Sequence, residues 1–261
     1  GTLSNWPYLT VLFEANGLSR YAVPAFAATI LSVLNLVGVA LWLPESLTPE
    51  RRARLADRNR ALLPIRKLRD LLQRPRVGPL LQTRFFYSLA FTMFTTNFAL
   101  YTRLRFGLTD QTTSYILTYV GVLVVLVQGV IVGFLTDRFP EKQIIVVGVT
   151  ILALALLGWA MVPNLALMLA VLTFLPLSGG TLNTVTNSAL TKAVADEDVG
   201  GTLGLSTSLD SLTRILSPAI GGLLIEEFGA WAVGAGGALI MAWVVFYAWR
   251  CLILDATACW D

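Results

Sequence analysis

Histidine is absent from this sequence, cysteine occurs twice, and only 13% of the 261 residues are charged. Each shortage closes off a class of function. Without histidine the usual zinc ligand sets are missing, as are Ser/His/Asp and Cys/His catalytic arrangements and the side chain that ordinarily titrates near neutrality. Any proton chemistry falls to carboxylates. Cys251 and Cys259 both lie within the last eleven residues, a spacing that suits no metal. A disulfide between them is disfavoured if that end faces the cytoplasm. No glycine-rich loop ends in Lys-Ser or Lys-Thr to cradle a nucleotide's phosphates. Residues 1–20 hold no basic stretch followed by an apolar one that would serve as a secretion signal. The expectation is a protein that is not an enzyme, with no metal and no cofactor.

Scarce charge also excludes a water-soluble globule. A soluble domain carries roughly a quarter charged residues, whereas this chain is 56% hydrophobic with a mean hydropathy of +0.70. Too little polar surface exists to coat a globule in water, so lipid must solvate it. A span needs about 20 mostly apolar residues. The sequence predicts seven, at roughly 22–43, 80–101, 112–135, 143–162, 164–190, 202–225 and 231–254. The fifth is over-long and contains Pro176 and Gly179-Gly180, which predicts a bend or a break. The expected fold is all-α, with a segment outside the membrane (1–21), one span (22–43), a polar linker (44–79) and a six-helix bundle (80–261).

Sidedness follows from the 19 Lys and Arg residues. Ten lie between Arg51 and Arg76, and with Arg138, Lys142, Lys192 and Arg250 they make fourteen on one side. The other side holds Arg20, Arg103 and Arg105, and Arg84 and Arg214 fall inside spans. Such a bias places the 44–79 loop and the C-terminus in the cytoplasm and residues 1–21 outside. The basic pI then reports topology and lipid headgroups, not nucleic acid. Within the linker, Leu55, Leu62, Leu63, Ile65, Leu68, Leu71 and Leu72 recur near helical spacing among arginines. Either short surface helices interrupted at Pro64 or a solvated charged linker accounts for them.

The sharpest motif is Gly133-Phe-Leu-Thr-Asp137-Arg138-Phe-Pro-Glu141-Lys142, in a short loop between two spans. Glycine at a helix end permits close backbone approach. Asp137, Arg138 and Lys142 can latch neighbouring helix ends by charge, or merely form a tight charged turn. Gly-x-Leu-x-Asp-Arg-x-x-x-Lys resembles the short cytoplasmic loop motif of the major facilitator superfamily. Pro140 replaces its usual glycine, and Glu141 a basic residue. Gln128-Gly129, Asn187-Ser-Ala-Leu-Thr191, Gly200-Gly201-Thr202-Leu-Gly204 and Ser217-Pro218-Ala-Ile-Gly221-Gly222 resemble the tetracycline-efflux-like drug/proton antiporter branch. Leu43-Pro44-Glu45-Ser46 resembles the end of that branch's sixth helix. The resemblance implies twelve helices in two six-helix halves, each half two three-helix repeats. This chain would supply the sixth helix, the central loop and the C-terminal half, with Gly1 to Leu3 a remnant of the fifth helix.

Candidate site residues are the few polar groups at membrane depth. Asp210 and Arg214 are four apart, on one helical face, and charges there face a cavity or a partner. They form either a coupling site or a self-paired structural couple. Asn97 (with Thr95 and Thr96), Gln128, Asn183 and Asn187 (with Thr181) line a cavity or bond between helices. Arg84 is expected to snorkel to headgroups. Trp42, Tyr101, Trp231 and Trp249 read as interface anchors. Pro218, Gly221 and Gly222 form a helix-bend or close-packing motif. The function expected from the resemblance is proton-coupled efflux of a small organic molecule by alternating access, needing the bilayer and a missing N-terminal half or other membrane subunits as partners. A structural or assembly subunit built on a half-transporter fold is the alternative.

Overall fold

The computed structural model describes residues 22–42, 72–196 and 198–254. Residues 1–21, most of the 44–79 linker with its expected surface helices, and Cys259 lie outside them. The chain divides by contacts into residues 1–61 and 62–261. In the first unit, helix α1 (Ala22–Trp42) carries no charged residue. Its Thr29 and Ser32 hydroxyls donate to the carbonyls of Ala25 and Ala28, so both are satisfied without water.

The second unit contains six helices among its described residues: α2 (Gly78–Phe106), α3 (Asp110–Arg138), α4 (Glu141–Met161), α5 (Leu165–Lys192), α6 (Val199–Phe228) and α7 (Trp231–Ala248). Short turns join them. Gly107, at φ 62°, ends α2 in the left-handed conformation that spares glycine the Cβ clash. Thr109 and Asn164 cap α3 and α5 by accepting from the Thr112 and Leu167 amides. A π-helical turn, Val127–Ile131, interrupts α3, and a second, Trp249–Leu254, follows α7. Of the bend or break expected at Pro176, the break is absent. α5 runs continuously through it, and the irregularity sits instead in α3.

Packing partners reveal the two repeats. α4 packs on α7, α2 on α7 as α5 on α4, and α2 on α6 as α5 on α3. That is the pattern of two three-helix units, α2–α4 and α5–α7, related by a pseudo-two-fold. The core gathers at Trp159, which is fully buried against Phe94 and Tyr101 of α2. The Tyr101 hydroxyl donates to the Trp159 carbonyl at 3.0 Å. A Cβ on Gly234 of α7 would lie 2.8 Å from the Trp159 ring, so glycine is what lets α7 seat there. Tyr101 is therefore a core residue, not an interface anchor, whereas Trp231 and Trp249 are exposed. Cys251 is disulfide-bonded, which departs from the reduced state expected of a cytoplasmic end.

The outer surface is apolar, with Val125, Val130, Leu154, Met161 and Leu239 exposed, a surface hydrocarbon solvates and water does not. Five of the seven described helices are long and apolar enough to cross a membrane. The other two, α2 and α6, are 29 and 30 residues long but more polar. They pack on each other, and the candidate site lies on them and on α5.

Candidate functional site

Arg84, on α2, is the centre of the polar cluster. Its side chain is 5% exposed, so it does not snorkel. One Nη donates to Asn187 Oδ1 at 2.8 Å; the other donates to Asp210 Oδ2 at 2.6 Å and Asn183 Oδ1 at 3.3 Å. The cluster thus ties α2 to α5 and α6. Asn183 and Asn187, one turn apart, share a face of α5, and the Asn187 amide donates to Asn183 Oδ1 at 3.3 Å. Tyr87, one turn beyond Arg84, is buried within electrostatic reach of both Arg84 and Asp210.

A guanidinium can be held at this depth because its charge is matched by a carboxylate and its hydrogens by amide oxygens. The matching is incomplete: Arg84 Nε is buried and finds no acceptor among the described residues. Asp210 lies roughly 16 Å along α6 from Val199 and Arg84 roughly 9 Å along α2 from Gly78, at 1.5 Å per residue. The cluster therefore lies between the middle of the bundle and the end where α2 and α6 begin. An open cleft of ≈ 380 Å³ adjoins it, lined by Arg84, Asn187, Ser188, Thr191, Leu203 and Thr207. Arg84 is the one charged residue in that lining.

The expected Asp210–Arg214 couple does not form. Arg214 is exposed and pairs with no carboxylate among the described residues. A one-turn separation brings two side chains to one face, but the packing of α2 offers Asp210 a nearer cation. Asn97 is buried away from the cleft and donates to the Met93 carbonyl at 2.9 Å. It fills the space left by Gly221, whose Cβ would overlap its amide. Ser217 donates to the Leu89 carbonyl and Thr213 bonds Ser88, each at 3.2 Å. Thr213, Ser217 and Gly221 thus form a packing seam against α2, while Pro218 is exposed and Gly222 has open space beside it. Gln128 is exposed in the π-helical turn, close to Gly180.

The loop latches through Glu141, the residue at which it departs from the family's motif. Asp137 and Lys142 are exposed and make no ion pair among the described residues, and Arg138 stacks on Phe134 at 4.4 Å. Gly133 has open space around it. Glu141 accepts from the Ser188 hydroxyl at 2.6 Å and from Lys192 at 2.8 Å, joining the start of α4 to the end of α5. Its sequence signal was the departure from the motif: an acid where a base is usual, one helix away from a lone Lys192.

Residues 7–175 and 106–257 each match the family model described as Major Facilitator Superfamily. The chain is 30% identical over 240 residues to mouse "Solute carrier family 22 member 18", covering 92% of the chain and 59% of that relative. It is 28% identical to the Escherichia coli "Tetracycline resistance protein, class C", over 81% of the chain and 54% of that relative. With Bacillus subtilis "Multidrug resistance protein 2" the identity is 23%, over 85% of the chain and 56% of the relative. The chain thus spans a little over half the length of these curated relatives. No solved structure matches at a comparable level.

Proposed function

The chain belongs to the major facilitator superfamily, and from that premise we propose that it forms the six-helix C-terminal half of a proton-coupled secondary transporter for a small organic molecule. The observation that carries this reading is the part-buried Arg84–Asp210 ion pair across α2 and α6, beside a polar cleft. Alternating access needs a second bundle rocking against this one around a site between them. We propose that the polar faces of α2, α5 and α6 meet that second half. The end bearing Glu141 and Lys192 faces the cytoplasm in this reading, by the Lys/Arg bias. The resemblance implies outward movement in exchange for protons, and proton coupling of either sign needs a carrier. Asp210 is the carboxylate placed to serve: neutralising it removes the charge that holds Arg84.

The test uses the complete gene product that contains this chain, reconstituted in proteoliposomes under an imposed proton gradient. Substrate accumulation should be lost in Asp210→Asn while downhill exchange persists. Gradient-driven accumulation by Asp210→Asn at the wild-type level would remove Asp210 from the coupling step.

A further inference from the structure

The walls of the cleft give the charge of its occupant. They supply one guanidinium, one carboxamide, three hydroxyls and one leucine, and no acid among the lining residues. A cation entering there meets the buried Arg84 and gains only Asp210, which is already engaged at 2.6 Å. An anion gains a planar donor that suits carboxylates. Arg84 Nε–H, buried and without an acceptor among the described residues, is one donor that Asp210 and the amides leave over. Resting on the transporter reading, we infer that the occupant is a small organic monoanion, a carboxylate, which displaces Asp210 from Arg84 and is bound together with a proton on Asp210.

The linkage follows from charge counting around Asp210. The titratable and charged groups facing it are Arg84 and Tyr87 from α2, with the exposed Arg214 one turn on along its own helix. α5 brings to the cluster only the Asn183 and Asn187 amides, which bond Arg84, Lys192 being held by Glu141. α7 has no charged residue. With the site empty, Arg84⁺ and Asp210⁻ cancel. Adding an anion alone leaves one uncompensated negative charge at membrane depth, which is costly. Adding it with a proton restores neutrality: the proton bonds to an Asp210 oxygen, and the guest carboxylate takes the guanidinium. Proton and anion therefore bind together and move the same way, replacing the exchange implied by the resemblance.

Three nearly isosteric probes test this on the complete gene product in detergent: benzoate, benzamide and benzamidine. Titration calorimetry in buffers of different ionisation enthalpy counts the protons exchanged on binding. Benzoate should bind in preference to the other two, tighten as pH falls, and take up about one proton. Asp210→Asn, which removes the competing acid, should bind benzoate with little pH dependence and no proton uptake. Arg84→Gln/Asp210→Asn, which keeps the site neutral, should weaken benzoate at least roughly tenfold relative to Asp210→Asn, the loss of a charged hydrogen bond of about 1.5 kcal/mol or more. Preference for benzamidine, proton release on binding, or binding of none of the three overturns the inference. Failure of the transporter reading looks different: benzoate binds with proton uptake, yet neither moves across proteoliposomes.

Discussion

Replacing Gly221 by alanine probes the seam between α2 and α6. An added Cβ would sit 2.8 Å from Asn97 Cγ and 3.1 Å from Oδ1, and closer still to Nδ2. Asn97 is 6% exposed and its amide donates to the Met93 carbonyl at 2.9 Å, so it cannot swing away without breaking that bond. Overpacking costs typically 1–3 kcal/mol, and a lost hydrogen bond about 0.5–1.5 kcal/mol. Alanine's better helix propensity returns up to about 1 kcal/mol. The net destabilisation is then about 1–3 kcal/mol. Gly222→Ala is the internal control: nothing lies within 4 Å of its Cβ position, so only the propensity gain remains. In detergent, the unfolding midpoint followed by tryptophan fluorescence should fall by roughly 2–12 °C for Gly221→Ala, at about 2–4 °C per kcal/mol for a chain of this size. Gly222→Ala should not fall. Asn97→Ala in the Gly221→Ala background should recover most of the loss, because the clash has been removed. Equal shifts for the two glycines, or no recovery in the double variant, would refute the account of this contact.

Two further outcomes are expected. Glu141→Gln keeps the oxygen that accepts from Ser188 but loses the charge facing Lys192, which is largely exposed; it should change stability by less than about 1 kcal/mol, whereas Glu141→Leu should cost more, read from the same melts. In a variant lacking Cys251 and Cys259, single cysteines at Lys142 and Arg105 should react with a membrane-impermeant maleimide from opposite faces of sealed vesicles, Lys142 from the cytoplasmic one; the reverse pattern would invert the proposed orientation.

The bundle was legible in the sequence because most spans are apolar runs bounded by turn residues or charge. Helix limits fall within about five residues of expectation, α2 extending furthest past its apolar stretch, to Phe106. The π-helical turn at Val127–Ile131 was not legible, since one extra residue in a uniformly apolar run leaves no mark on its pattern. At the site, Asp210, Asn183 and Asn187 stand out because polar groups are scarce at that depth. The error lay in pairing. Away from their ends the spans hold one acid, Asp210, and two cations, Arg84 and Arg214, Arg250 lying near the end of the last, so one cation must go without. Sequence distance favoured Arg214, four residues away, while the packing of α2 on α6 favours Arg84, 126 residues away. Only tertiary structure decides between them.

The polarity of α2 and α6 has a consequence for how the chain is made. A helix leaves the translocon for lipid by its own apolarity, and an arginine or aspartate at its centre costs about 2.5–3.5 kcal/mol in that step. Arg84 and Asp210 lie between the start and the centre of their helices, so each imposes at most such a cost on its own helix, and they cancel one another once α2 and α6 touch. α2 emerges from the ribosome more than a hundred residues before α6. For that interval it carries an arginine whose counter-charge has not been synthesised. Lateral release in strict sequence order would leave that charge without its partner until α6 arrives. The same ion pair proposed to couple transport thereby ties the placing of α2 in lipid to that of α6.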